Sequence, residues 1–201
     1  MKYLLFIFFF TQFSARAEFL PSSFQLGFTQ VFKSSITGKD KKSEGTLSYV
    51  YPSKIHLKVN PPNEVIFVSN GVKSWYYTPP FIEGEKGELI IQDNKKQNLS
   101  KLFDAFKMGL VTNKLYSVSV VNSKTLLSFN KKAKNQYGIA KVEMTAKDKT
   151  IVAFSDVSLM HIEYDNNKIV ELQFNSLDQN IKPMDSLFTF TPPANTKITE
   201  P

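Results

Sequence analysis

The stretch EVIFVSNGVKSWYYTPPF, from Glu64 to Phe81, decides how this chain is built. Val65 to Val68 is an apolar run, Ser69-Asn70-Gly71 is a turn, and Trp75-Tyr76-Tyr77 is an aromatic run beyond it. Asn-Gly between two β-prone runs marks a hairpin, because both residues tolerate a positive φ. The hairpin carries the one tryptophan and two of the eight tyrosines. That concentration of rings suits a surface that meets something apolar, and equally a plain core.

Working outward, the segment before the hairpin alternates strictly. Leu47, Tyr49 and Tyr51 alternate with Thr46, Ser48 and Val50; after a turn at Pro52-Ser53, Ile55, Leu57 and Val59 alternate with Lys54, His56 and Lys58. Period two over neighbouring runs means a sheet with one face covered and one wet. His56 falls on the wet parity, as an ordinary surface histidine. Further upstream, Phe24, Leu26 and Phe28 read as a strand, and Ser34 to Glu44 as a polar, lysine-rich hairpin loop.

Downstream the period changes. Leu99, Leu102, Phe103, Phe106 and Leu110 follow the i, i+3, i+4, i+7 pattern, with Asn98 or Ser100 as N-cap and Gly109 near the end. Strands resume at 115–121, 126–129, 139–144, 151–154, 157–164 and 168–174, and Leu187 to Pro193 closes the chain. The pattern gives a mainly β fold of ten or more antiparallel strands, a strongly curved sheet or an open barrel, with one amphipathic helix near 99–110 inserted midway that could lid its lumen. The large residues on the inside parity are Phe24, Phe28, Tyr49, Tyr51, Trp75, Tyr77, Phe174 and Phe190. They fill a core, or line a lumen beneath the helix.

The first residues set the compartment. Lys2 precedes an almost wholly apolar run from Tyr3 to Phe13, and Ala15-Arg16-Ala17 supplies a small-x-small cleavage pattern. Residues 1–17 therefore read as a secretory signal peptide and 18–201 as one exported domain. The apolar run falls short of the about twenty residues a membrane helix needs. An exported chain without cysteine must stand on its core, which favours a bacterial periplasm, and no lipid anchor can attach at the cleavage site. The formal charge of +7 drops to +5 when Lys2 and Arg16 leave, and Arg16 is the only arginine. Export and the want of arginine argue against a nucleic-acid partner. The lysines serve solubility, or as a positive rim, at Lys54 and Lys58 for example, that meets an acidic partner.

No catalytic set emerges. There is no cysteine nucleophile, no Gly-x-Ser-x-Gly and no His-Glu-x-x-His. His161 with Glu163 on the same strand face lacks a nucleophile, and His56 and His161 stand too far apart to suggest a metal site. The expected activity is binding, without enzyme chemistry, cofactor or metal.

Taken in order, Ser23-Phe24, Phe28-Thr29-Gln30, Gly45-Thr46-Leu47, the turn at Pro52, Val68-Ser69-Asn70-Gly71, Trp75-Tyr76-Tyr77-Thr78-Pro79 and Phe188-Thr189-Phe190-Thr191-Pro192-Pro193 resemble the periplasmic lipoprotein carrier family LolA. The resemblance covers nearly the whole exported chain. It implies an open half-barrel whose apolar concave face is covered by helices. It also implies a monomeric chaperone that takes lipoproteins from an inner-membrane ABC transporter, shields their acyl chains and delivers them to an outer-membrane acceptor. By position it places Leu47, Tyr49, Tyr51, Ile55, Leu57, Trp75, Tyr77 and Phe190 on the strands of the acyl-chain cavity. Leu99, Leu102, Phe103 and Phe106 fall on its lid helix.

Two departures accompany the resemblance. The family's well-studied members latch the lid with an arginine directly before the turn proline, bonded to helix carbonyls; Tyr51 holds that position here. A phenol offers one donor and no charge where guanidinium offers five donors, so the latch must be weaker or different. The family's long helix before its first strand is reduced to Glu18–Ser23. Together these imply a more open, less gated cavity. Two other functions fit the same fold: a periplasmic domain that senses lipid or lipoprotein, or a carrier of another amphiphile. A sensor is expected to need a partner-binding segment, and Ala194 to Pro201 is short for one.

Overall fold

The computed structural model describes residues 18–33, 38–93, 99–148 and 150–200. The expected leader at 1–17 and the candidate cap Asn98 lie outside them. Twelve strands form one sheet. They are β1 (Ser23–Lys33), β2 (Asp40–Val50), β3 (Lys54–Val59), β4 (Val65–Asn70), β5 (Lys73–Thr78), β6 (Gly87–Asp93), β7 (Tyr116–Val121), β8 (Lys124–Phe129), β9 (Ile139–Ala146), β10 (Val157–Tyr164), β11 (Ile169–Gln179) and β12 (Thr196–Thr199). Their order is β12-β6-β5-β4-β3-β2-β1-β11-β10-β9-β8-β7, with β12 and β7 as the two edges, not paired with each other. The sheet is therefore the unclosed half-barrel expected. Two helices lie on it, α1 (Leu99–Phe106) and α2 (Lys131–Tyr137).

The Asn-Gly hairpin forms between β4 and β5, but only Gly71 takes a positive φ, of 88°. Asn70 acts through its side chain instead, its Oδ1 accepting from the backbone N–H of Val72 and Lys73 at 2.8 Å each. This loop sets Ser69 opposite Ser74 and Phe67 opposite Tyr76. The concave face carries Phe24, Leu26, Phe28, Leu47, Tyr49 and Ile55, all buried, and α1 packs Leu102, Phe103 and Phe106 against it. Phe24, Tyr49 and Phe103 have mutual ring separations of 5.4 to 6.0 Å.

Local expectations fail in four places. Asp40 to Glu44 belongs to β2 rather than to a loop, because β1 runs long enough to pair with it from Lys33–Asp40 onward. Residues 151–154 form no strand; the Asp156 carboxylate accepts from the N–H groups of Val152 and Ala153 and folds the segment into a 3-10 turn at Phe154–Asp156. The second helix, α2, is capped by the Asn130 side chain and ends at Gly138 with φ 65°. It hides from periodicity because only Ala133 and Tyr137 are buried on its lysine-rich surface.

The fourth is the chain end, which closes differently. Leu187 and Phe188 lie in a 3-10 turn (Asp185–Phe188), and β12 then pairs with β6 in parallel, unlike every other pair in the sheet. The segment straps the convex face: Phe188 is buried there, Phe190 packs on the Tyr77 ring at 5.2 Å, and Lys54 bonds Asp185 at 2.7 Å. Among the described residues no helix is long and apolar enough to cross a membrane.

Candidate functional site: an apolar cavity under a latched helix

Directly paired residues share a face of a sheet. Leu57, Phe67 and Tyr76 pair across β3, β4 and β5, and His56, Val68 and Trp75 pair on the opposite face. Of the residues expected in the cavity, Leu47, Tyr49, Ile55 and Leu57 therefore stand on the concave face. Trp75, Tyr77 and Phe190 do not: they lie on the convex side, with Tyr77 and Phe190 stacked under the chain-end strap. The assumed parity of β5 was off by one, and one residue of slip moves every side chain to the other face. The cavity aromatics of this hairpin are Phe67 and Tyr76. Lys54 and Lys58 likewise occupy the convex parity, so they form no rim around the cavity.

As the single tryptophan, Trp75 provides a test of this placement. Its fluorescence should not shift when an acyl ligand fills the concave face. A Tyr76→Trp, Trp75→Phe variant should shift to the blue, and the reverse pattern would put Trp75 back in the cavity.

The concave side holds two adjoining chambers. The throat, about 150 Å³, is walled by Leu26, Phe28, Leu47, Leu102, Phe106 and Phe174, among others. The outer chamber, about 630 Å³, opens towards Phe32, Val65, Phe67, Tyr76 and Tyr137. Its size falls within the about 300–1,000 Å³ of pockets that hold small ligands. Leu57 and Leu99 line both chambers. Tyr49 and Ile55 line neither and are wholly buried under α1. The large inward residues thus fill a core at one end and line a lumen at the other. Phe19 and Leu20, just before β1, are buried as well, with Phe19 edge-on to Phe154 at 5.8 Å.

The helix is held by a latch of its own. Asp104 projects from α1 to the turn after β2, where its Oδ1 accepts from the Tyr49 hydroxyl at 2.7 Å and the Ser53 N–H at 2.9 Å. Its Oδ2 accepts from the Ser53 hydroxyl. Burial, and then the bond to Asp104, push the Tyr49 phenol far up from its ordinary range, so it stays protonated as the donor. At the other end of α1, the Tyr116 hydroxyl of β7 shares its proton between Gly109 O at 2.8 Å and Ala105 O at 3.2 Å. That phenol thus ties the last turn of α1, through Ala105 O, and the Gly109 carbonyl just beyond the helix to β7.

Tyr51 is 49% exposed and lines neither chamber. Its ring instead lies 4.8 Å from Lys107 Nζ, which also reaches Glu18 at 2.6 Å and Ser22 at 3.1 Å. At α1 the helix is seated, with Leu102 and Phe106 fully buried, while the outer chamber beside it stays open. In this latch the helix supplies the carboxylate, and β2 with the turn after it supplies the donors. The lid is also shorter than expected, ending at Phe106 rather than 110, with Ser100 inside it rather than capping it.

Asp104 and Tyr116 were missed by periodicity, which weighs apolar positions. The signal available for Asp104 was its place as the single acid in a helix between buried neighbours. Lys107 lowers the pKa of Glu18, chiefly by its hydrogen bond. A depressed carboxyl stabilises above its ordinary value of 4.5, and that contribution disappears as the pH falls through the folded value. The difference in hydrogen exchange at the end of α1 between wild type and Glu18→Gln should be present at neutral pH and vanish once the pH has fallen well below 4.5. A difference that persists there would mean the ion pair does not hold the helix end.

Among known proteins, residues 21–191 match the family described as Outer membrane lipoprotein carrier protein LolA. The Outer-membrane lipoprotein carrier protein of Francisella tularensis subsp. novicida (strain U112) is 22% identical over 176 residues, spanning 88% of this chain and 80% of that protein. Its namesake from Francisella tularensis subsp. tularensis (strain WY96-3418) aligns over the same 176 residues at 22% identity. Among solved structures, a LolA superfamily protein from Nitrosomonas europaea is similar at 11% identity and a TM-score of 0.45, over 86% of this chain and 92% of that one. An uncharacterized conserved protein from Thermus thermophilus is similar at 10% identity and a TM-score of 0.47, over 90% of this chain and 92% of that one.

Proposed function

Because this chain belongs to the LolA family of outer membrane lipoprotein carrier proteins, we propose that it is a periplasmic chaperone for lipoproteins and not an enzyme. It receives them from an inner-membrane ABC transporter, holds their acyl chains between the concave sheet and α1, and yields them to an acceptor at the outer membrane. The observation that carries this reading is the pair of adjoining, largely apolar chambers beside α1, with Leu57 and Leu99 common to both.

The energetics suit a carrier. At roughly 0.8 kcal/mol per CH₂, an acyl chain of about fifteen carbons presents on the order of 12 kcal/mol of unfavourable hydration. No such anchor crosses water unshielded. A throat of about 150 Å³ cannot enclose such a chain as it stands, whereas the outer chamber is already open. Loading therefore lifts α1, and its cost is the set of bonds made by Asp104, Tyr116 and Lys107. That cost keeps the grip below the full transfer energy of the chain, so an acceptor with a better site can take the cargo without nucleotide hydrolysis by the carrier.

The test is release. The purified protein is incubated with spheroplasts that retain a labelled triacylated lipoprotein and their own matched transporter. Recovery of that lipoprotein in the supernatant, bound to this protein, is the expected result. A folded protein that binds free lipid yet releases nothing would overturn the lipoprotein reading.

A further inference from the structure

The two chambers share five side chains: Gln30, Leu57, Leu99, Tyr164 and Lys168. The three polar ones stand on adjacent strands, Gln30 on β1, Tyr164 at the end of β10 and Lys168 just ahead of β11. Among the described residues Lys168, itself exposed, is the one charged side chain lining the throat; Asp165 lines only the outer chamber. The Lys168 carbonyl accepts from the Tyr164 N–H at 2.9 Å, closing the turn that sets both side chains at the seam. Its ammonium makes no ion pair or hydrogen bond among the described residues. A lysine stem can lie along an apolar wall while its head stays at the boundary. Below the seam the throat wall is aromatic and aliphatic only.

We propose that Lys168, flanked by Gln30 and Tyr164, is a head-group subsite for the carbonyl or carboxylate oxygen of an acyl chain. The chain enters the throat tail first and stops where its oxygen meets the ammonium. This rests on the carrier reading and adds to it the chemistry that fixes orientation and depth. A bond from a cation to an oxygen acceptor gains strength at the edge of an apolar chamber, where water competes less. The acceptor can come from an acyl ester or from a free fatty acid; both present oxygen at the head of the chain.

Calorimetric titration of the purified protein with dodecanol, methyl dodecanoate and dodecanoate at neutral pH tests the subsite. Dodecanoate should bind about tenfold more tightly than dodecanol. Lys168→Gln should bring the two within about twofold by weakening dodecanoate alone, and Lys168→Arg should keep the preference. Methyl dodecanoate above dodecanol, lost in Lys168→Gln, identifies the ester carbonyl as a partner; parity with dodecanol assigns the subsite to the carboxylate. Equal affinity for dodecanoate and dodecanol in wild type, or a preference that survives Lys168→Gln, overturns the subsite. Failure of all three ligands to bind would overturn the carrier reading instead.

Discussion

Leu57→Glu should abolish lipoprotein release while leaving the fold intact. Leu57 is half-buried on the concave face and lines both chambers, so an empty cavity lets a carboxylate there remain hydrated. An acyl chain filling the cavity strips that water away. Burying an unpaired charge costs several kcal/mol even after relaxation, which at about 1.4 kcal/mol per tenfold exceeds a hundredfold in affinity. A salt bridge from Lys168 would spare the charge but would fill the seam and exclude the chain as well. Circular dichroism should match wild type. Binding should partly recover at low pH, where the carboxyl enters protonated, because contact with the ligand raises its pKa. Leu57→Ala, which removes contact without charge, should lose far less. Full release by a folded Leu57→Glu protein would show that the acyl chains lie elsewhere.

Asp104→Ala should free α1. Three bonds to a carboxylate disappear together, and the Tyr49 hydroxyl is left in a buried site without its partner. Hydrogen bonds to charged groups contribute about 1.5–3 kcal/mol, and an orphaned buried donor costs about 1–3 kcal/mol, so a loss of about 3 kcal/mol is expected. Tyr49→Phe removes donor and demand at once and should cost about 1 kcal/mol, leaving a coupling above about 1 kcal/mol in the double-mutant cycle. Hydrogen exchange in α1 should quicken more than in β1 and β2, because the latch is local while the strands remain paired. Acyl ligands should enter and leave faster. Unchanged protection of α1 would mean that packing of Leu102, Phe103 and Phe106 alone keeps the helix down.

Wherever a local pattern and the global packing agree, the elements were legible. The period of Leu99, Leu102, Phe103 and Phe106 marks a helix with one apolar stripe, and that stripe is what α1 buries. The alternation in β2 and β3 marks one covered face, and Leu47, Tyr49, Ile55 and Leu57 are on it. Where side-chain capping overrides pattern, the reading failed: Asp156 turns residues 151–154 away from a strand, and Asn130 with Gly138 caps a helix almost without an apolar stripe.

By itself, the order of residues determined that the chain is mainly β, a curved sheet or open barrel with one amphipathic helix, because periodicity is a property of neighbouring residues; the unclosed half-barrel was what the family resemblance implied. It could not decide which face of β5 looks inward, since alternating aromatics satisfy either face and only the Ser69–Ser74 pairing settles the parity. Nor could it show that Tyr77 and Phe190 serve a second core on the convex side, which exists only because the chain end returns to pair β12 with β6. The latch was beyond it for the same reason. Asp104 and Tyr49 are 55 residues apart, and only the folded sheet brings the carboxylate within 2.7 Å of the phenol.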